Sequence, residues 1–308
     1  MTKSQDCATW EGTVLGPLLF LIYINDLPEY VSPGTEVKLF ADDSALFRKI
    51  KSQNDHNILQ TDINNLVIWE QTWSMEFHPD KCQLLNISNK KSPSLHTYTI
   101  HNSHIQPISN AKYLGITINN KLSWNTHIDI TCQKANNTLN FINRNFRNTS
   151  MKIKEQLYMT HIRPILEYCS SVWDPHTQDN KAKLEKVQRR AARFIHNTYS
   201  REVSVTSLLK KLHWTPLEER RTKTKVTLMF KAIKNTIHIP TDHLKFTLAP
   251  TRQQQNFFIP YARTNTYRHS FFPDTIRHWN KTPTNMRNSN KTEQFQKQIS
   301  ALTYTHSY

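Results

Sequence analysis

The chain has 308 residues, is 37% hydrophobic and holds 7 Trp, 11 Tyr and 14 Phe, which is enough for a sizeable core in one large domain or two modest ones. Lys and Arg outnumber Asp and Glu by 40 to 24, unevenly: residues 1–125 hold 10 basic and 12 acidic side chains, residues 126–308 hold 30 and 12. So basic a second part points to a polyanionic partner, nucleic acid first, and the four widely spaced cysteines (Cys7, Cys82, Cys132, Cys169), with no Cys-x-x-Cys pair, exclude a disulfide scaffold or zinc finger and suit reduced intracellular thiols.

Met1 to Trp10 carry no pattern. Glu11 to Pro17 read as a turn leading into a helix through Leu27, with Pro17 in its first turn and Pro28 ending it. This helix is apolar on nearly every side, which predicts burial in a core. Its apolar run, Val14 to Ile24, is about half a membrane span and is broken by Gly16-Pro17. Glu11 before it and Asn25-Asp26 after it do not suit a signal peptide, so no membrane partner and no secretion are expected.

Residues 37–47 place two short apolar runs around Asp42-Asp43, which predicts a tight β-hairpin with both carboxylates at its tip. A helix follows from Ser52, capped by Ser52 and Asp55, with Leu59, Ile63, Leu66, Trp69 and Trp73 as its core stripe. Strands are expected over Cys82 to Ile87 and Lys112 to Ile118. From Trp124 the chain reads as helical and basic. Over residues 181–195, Leu184, Val187, Ala191, Phe194 and Ile195 form an apolar face, while Lys183, Lys186, Arg190 and Arg193 lie on other sides with Arg189 between them. Such a helix suits phosphate contacts, and Lys186, Arg189, Arg190 and Arg193 are the candidate nucleic-acid-binding residues. A further helix is expected to open at Thr215-Pro216-Leu217-Glu218 and to carry Val226, Met229, Phe230 and Ile233 beside Arg220, Arg221, Lys223 and Lys225. Past Pro240 the chain is rich in Pro, Asn, Gln and Thr, and aromatics return in Tyr267 to Pro273.

Gly12-x-x-Leu15-Gly16-Pro17-Leu18-Leu19-Phe20-x-x-Tyr23-Ile24-Asn25-Asp26-Leu27-Pro28 resembles the template- and nucleotide-contacting motif of non-LTR retrotransposon reverse transcriptases, and Phe40-Ala41-Asp42-Asp43 resembles their catalytic hairpin. Pro79-Asp80-Lys81-Cys82 is similar to the family's lysine motif and Tyr113-Leu114-Gly115 to its primer grip. Trp173-Asp174 through Phe194, and Ser270-Phe271-Phe272-Pro273 through Trp279-Asn280, resemble the thumb and tail of jockey-like elements. The resemblance implies template contacts at Gly12, Leu15, Gly16 and Pro17, magnesium ligands at Asp42 and Asp43, a Lys81 that meets the leaving pyrophosphate, and primer positioning by Tyr113, Leu114 and Gly115. Its partners would be an RNA template, a DNA primer and deoxynucleoside triphosphates, in a nuclear or cytoplasmic ribonucleoprotein. Two magnesium ions about 4 Å apart are the expected cofactor, held by carboxylate oxygens.

The sequence departs from the family in two places. The family has a further catalytic aspartate many tens of residues before the glycine motif, and only 11 residues precede Gly12 here. Glu11 stands where the family usually has Gln, and an anion there would repel phosphate. The expected fold is α+β: a truncated right-hand polymerase palm over 1–123, a basic helical thumb over 124–240 and a C-terminal tail region over 241–308. The expected function is a reverse transcriptase fragment that is inactive alone. An active enzyme with an incomplete gene model, or a non-enzymatic nucleic-acid-binding protein, remain as alternatives.

Overall fold

A computed structural model describes residues 15–90, 96–200, 202–239 and 256–302. The chain divides into two compact units, Met1–Ser123 and Trp124–Tyr308. Unit 1 begins with α1 (Gly16–Ile24), a 3-10 turn (Leu27–Tyr30) and the antiparallel hairpin of β1 (Thr35–Phe40) and β2 (Asp43–Arg48). The long helix α2 (Gln53–Trp73) follows. Asp55 accepts the Ser52 N–H at 2.8 Å in the expected cap, and the Lys51 N–H, Ser52 hydroxyl and Ser52 N–H hold its carboxyl at about 2. A 3-10 turn (Pro79–Lys81) leads to β3 (Gln83–Leu85), shorter than expected, then to β4 (Thr99–Ile100), β5 (Ser103–His104), β6 (Gln106–Ile108), β7 (Asn110–Tyr113) and β8 (Ile116–Asn119). β3 pairs in parallel with β6, while β4–β5 and β7–β8 are antiparallel hairpins.

α2 is the spine of this unit. On one stretch Trp69 packs with Ile24, Leu27, Val37, Leu39, Met75 and Phe77; on another Ile63 packs with Tyr98, Ile100, Leu46 and Leu84. The expected stripe is therefore core at Ile63 and Trp69, half-buried at Leu59 and Leu66, and exposed at Trp73. The expectation for α1 is corrected. Only Gly16 and Ile24 are buried, while Leu18 is 56% and Ile22 67% exposed. Uniform hydrophobicity reports that a helix gains by being covered. It does not supply a cover, and among the described residues none lies over the outer side of α1.

Unit 2 is helical: α3 (Asn125–Asn145), α4 (Met151–Leu157), a π turn (Tyr158–Ile162), α5 (Arg163–Glu167), α6 (Ser170–Trp173), α7 (Gln178–Ile195), α8 (Val205–Lys211), α9 (Leu217–Ile233), α10 (Asn265–Arg268), α11 (Phe271–Lys281), α12 (Thr284–Arg287) and α13 (Thr292–Ala301). α3 packs along α7, whose expected apolar face is buried in full. Val226, Met229 and Phe230 of α9 form one core with Ile276 and Trp279 of α11 and Phe295 and Ile299 of α13. Within the expected C-terminal tail region over 241–308, α11 and α13 thus pack on α9. α9 starts at Leu217 with Pro216, not Thr215, at the cap position, and a proline side chain has no acceptor to cap it; the Thr215 carbonyl accepts from the Gln188 amide. Cys82, Cys132 and Cys169 are free thiols, and burial pushes Cys132 up to about 11.

The basic residues of α9 do not form a solvated face. Arg221 Nε and Lys225 Nζ both donate to Asp174, at 2.6 and 2.5 Å, and Lys225 also reaches Asp274 of α11. Arg220 pairs with Glu167, and Lys223 with Glu219 at 2.7 Å. Burial pushes the Asp174 carboxyl up, but Lys225 and Arg221 outweigh it and hold it below the usual carboxylate range. Burial likewise lowers Lys225, and Asp174 and Asp274 outweigh it to raise the ammonium.

Removing one partner of a buried pair strands the other, so Asp174→Ala is expected to destabilise unit 2 by about 3–5 kcal/mol in denaturant unfolding. Asp174, lowered on folding, contributes stability above its ordinary value of about 3.9, and this is lost as pH falls through the lowered value. Lys225, raised on folding, contributes below about 10.4 and loses this as pH rises through the raised value. Acid unfolding is therefore expected to steepen below about pH 4, and Asp174→Asn is expected to flatten that limb while losing stability at neutral pH.

Candidate active site

The hairpin carries the two candidate carboxylates where the sequence predicts them. Phe40 pairs with Asp43, so Ala41 and Asp42 form a two-residue turn. Ala41 sits at φ 50°, a conformation that such turns usually give to glycine, and it holds a little strain at the tip. Asp42 and Asp43 are both exposed. The base of the hairpin is fixed by a buried carboxylate: Asp62 of α2 accepts the Ser32 N–H at 2.8 Å and the Thr35 hydroxyl at 2.5 Å. Arg48 donates to Thr35 at 2.9 Å and to the Pro33 carbonyl at 3.1 Å, and lies 3.6 Å from Asp55. Asp26, just after α1, accepts the indole N–H groups of Trp69 and Trp73 at 2.8 and 3.1 Å. Tyr23 reaches the Trp73 carbonyl and meets both indole rings edge-on.

Lys81 is exposed in the 3-10 turn after α2. That segment is tied to the helix by the Phe77 N–H, which donates to Glu70 at 2.9 Å. Burial raises the Glu70 carboxyl against the pull of Phe77 and His101, whose ring lies 2.9 Å from it. Lys81 and the hairpin therefore share the α2 scaffold, though among the described residues no hydrogen bond or ion pair joins Lys81 to Asp42 or Asp43. Tyr113, Leu114 and Gly115 differ from the expected single strand. Leu114 (φ 46°) and Gly115 (φ 81°) are the two turn residues between β7 and β8, both left-handed as this turn demands. The apolar run from Tyr113 to Ile118 hid that turn, and Gly115 was its one signal. Leu15 is exposed just ahead of α1, Gly16 and Pro17 open that helix, and Gly12 lies outside the described residues.

In unit 2 the α7 candidates divide. Arg190 is engaged by the Asn136 and Asn140 side-chain oxygens of α3, at 3.1 Å to the latter, and Arg193 donates to the Ser200 carbonyl at 2.9 Å. Lys186 and Arg189 are exposed, with no ion-pair partner among the described residues. Sequence reasoning quoted Asp26 within the glycine motif without its bridging role and missed Asp62, since a single acid beside a core position leaves no periodic trace.

Chemically, Asp42 and Asp43 offer adjacent oxygen donors open to solvent, the donor type that magnesium takes. Among the described residues no group of three or more His, Cys, Asp or Glu side chains is placed to hold a metal. The donor set thus fits magnesium in kind, with two carboxylates present. Residues 2–118 match the family model described as reverse transcriptase (RNA-dependent DNA polymerase). Over 199 residues the chain is 27% identical to a protein of Drosophila melanogaster described as a probable RNA-directed DNA polymerase from transposon BS. It is 26% identical over 197 residues to the RNA-directed DNA polymerase from mobile element jockey of the same fly. Over these segments the chain is similar to reverse transcriptases, transposon and jockey-element RNA-directed DNA polymerases among them.

Each alignment covers 60% of this chain and 22% or 21% of the relative, so the chain spans about a fifth of the length of the curated relatives it matches. Because 60% of the chain exceeds unit 1, the similarity reaches into the helical unit. No solved structure matches the chain. No described helix is long and apolar enough to cross a membrane.

The geometry separates the site from its support. Asp42→Ala and Asp43→Ala are expected to change the unfolding free energy by less than about 0.5 kcal/mol, as exposed surface substitutions do. Asp62→Ala leaves a buried N–H and hydroxyl without their acceptor and is expected to cost about 1–3 kcal/mol by the same measurement.

Proposed function

We propose that this chain is the part of an RNA-directed DNA polymerase that carries the catalytic hairpin and the helices after it. Asp42 and Asp43 are the magnesium ligands, Lys81 meets the pyrophosphate, Tyr113 to Gly115 seat the primer, and the open Lys186 and Arg189 of α7 track the nucleic-acid backbone. The observation that carries this reading is the exposed Asp42-Asp43 tip, braced on α2, inside the segment that matches the reverse transcriptase family. Bound magnesium would activate the primer hydroxyl and neutralise the triphosphate. The chain's own part is to hold two carboxylates at a fixed spacing on a hairpin that cannot rotate against α2, and to place a cation, Lys81, on the same scaffold.

Two carboxylates fall short of the donor set that a two-ion site needs, and no third joins them among the described residues. Groups that act as a unit lose most of their rate when one is absent, by roughly 10⁴-fold or more. On this reading polymerisation needs a further carboxylate brought to the hairpin, and without one the chain does not extend a primer.

Two measurements test this. In primer extension on an RNA template with magnesium, the purified chain is expected to add no nucleotides. Extension that disappears in the Asp42→Ala, Asp43→Ala variant would show a complete site and overturn the inactivity. In manganese titration followed by electron paramagnetic resonance, the chain is expected to bind a weak ion that the double variant does not. Equal binding by both would overturn the metal-ligand assignment.

A further inference from the structure

The positive charge of unit 2 is of two kinds. One kind is internally neutralised: Arg220, Arg221, Lys223 and Lys225 of α9, and Lys181 and Lys183 of α7, which pair with Glu218 at 2.6 Å and Asp129 at 2.8 Å. The other kind is open. At the C-terminal end of α3, Arg144 and Arg147 are exposed, and among the described residues neither finds a carboxylate or hydrogen-bond partner. These two, with Asn143 and Tyr199, line an open depression of about 450 Å³. Among the described residues no acidic side chain lines it.

The tyrosine is placed there by a built structure. α7 ends in a Schellman turn: the Asn197 N–H donates to the Phe194 carbonyl at 3.2 Å, the Thr198 N–H to the Arg193 carbonyl at 3.0 Å, and Asn197 takes φ 50°. Lys154, fully buried and 4.8 Å over the Phe194 ring, donates to the Asn197 side chain at 2.7 Å. Arg193 pins the Ser200 carbonyl. Tyr199 is thus held between two anchored residues while its own side chain is 62% exposed. Burial, and then the nearby charge of Arg147, lower the Lys154 ammonium, which places that guanidinium's field beside the turn.

A solvent-facing aromatic ring costs free energy in water and is left unused by a plain anion site. Beside two uncompensated guanidinium groups it forms a stacking platform flanked by phosphate donors. The Asn143 amide, in the lining of the same depression, adds a donor and an acceptor. We propose that Asn143, Arg144, Arg147 and Tyr199 form a subsite for single-stranded nucleic acid, with one base stacked on Tyr199 and the adjoining phosphates on Arg144 and Arg147. The open Lys186 and Arg189 of α7 carry further phosphates. The proposal deepens the polymerase reading by naming where unit 2 takes a single strand, but the subsite needs neither the Asp42-Asp43 hairpin nor a metal.

The test is fluorescence anisotropy of a labelled 12-nucleotide oligouridylate with the full chain in EDTA, over a salt series. Working without metal keeps a failure of the catalytic reading separate from a failure here. Tyr199→Ala is expected to weaken binding by about tenfold or more without changing the salt slope, and Tyr199→Phe to retain it. Arg144→Ala with Arg147→Ala is expected to reduce the slope by about 1.4, the value for two phosphates on a single strand. Arg144, Arg147 and Tyr199 are exposed, and unchanged melting of each variant verifies the fold. Unchanged affinity in Tyr199→Ala, or an unchanged salt slope in the arginine variant, overturns the subsite. Competition by polyglutamate as strong as by unlabelled oligouridylate also overturns it, in favour of a general anion surface. An equal loss on a 12-base-pair duplex overturns the single-strand assignment.

Discussion

A two-stranded ribbon of six-residue strands is not stable by itself in water, so the Asp42-Asp43 tip is only as fixed as the helix behind it. α2 fixes it in two ways. Trp69 and Ile63 bury the inner faces of β1 and β2. Asp62 then takes up the Ser32 N–H and the Thr35 hydroxyl at the base of the hairpin. Burial of one large side chain contributes about 1.5–3 kcal/mol, and a satisfied buried carboxylate avoids a desolvation cost of similar size. The apolar contacts supply most of the free energy, while the polar ones select a single register. Asp26, bridging Trp69 and Trp73, ties the end of α1 to the same helix.

In unit 2 the same division between energy and placement is written in charge. A pair at 4 Å is worth about 1 kcal/mol in water and about 4 kcal/mol at the effective dielectric constant of 20 that suits partly buried pairs. The exposed Lys183–Asp129 contact therefore adds little, as surface pairs do. Asp174, shared by Arg221 and Lys225, couples the loop after α6 to α9, and Lys225 carries the link on to Asp274 of α11. These cations stabilise a helical packing and are not available to a phosphate. The charge left for a polyanion is the smaller open set on α7 and at the end of α3, so the net charge of a domain overstates the number of phosphates it can neutralise.

Much of the candidate site was legible because it is local. A capped, periodic helix and an Asp-Asp pair between two apolar runs each depend on neighbours within a few residues, and both stand where the sequence predicts them. The β7–β8 hairpin was harder to read, since Leu114 in a left-handed turn breaks the usual preference and the alternation runs on past it. α1 shows the converse limit: its sequence states a need for cover, and cover is a property of what lies opposite.

By itself, then, the sequence determined the helices with one apolar face, the hairpin, the motifs that resemble a known family and the sign of the field around unit 2. Each of these follows from short-range periodicity, turn chemistry, motif spacing or simple addition of charge. Only the tertiary structure decided which cations are spent on the fold. Arg221 and Asp174 lie 47 residues apart and Lys225 and Asp274 lie 49 apart, whereas periodicity reports which face of a helix is polar and nothing about what that face meets. The Tyr199 platform belongs to the same class, because it exists only where the end of α7, the buried Lys154 and the end of α3 are brought together.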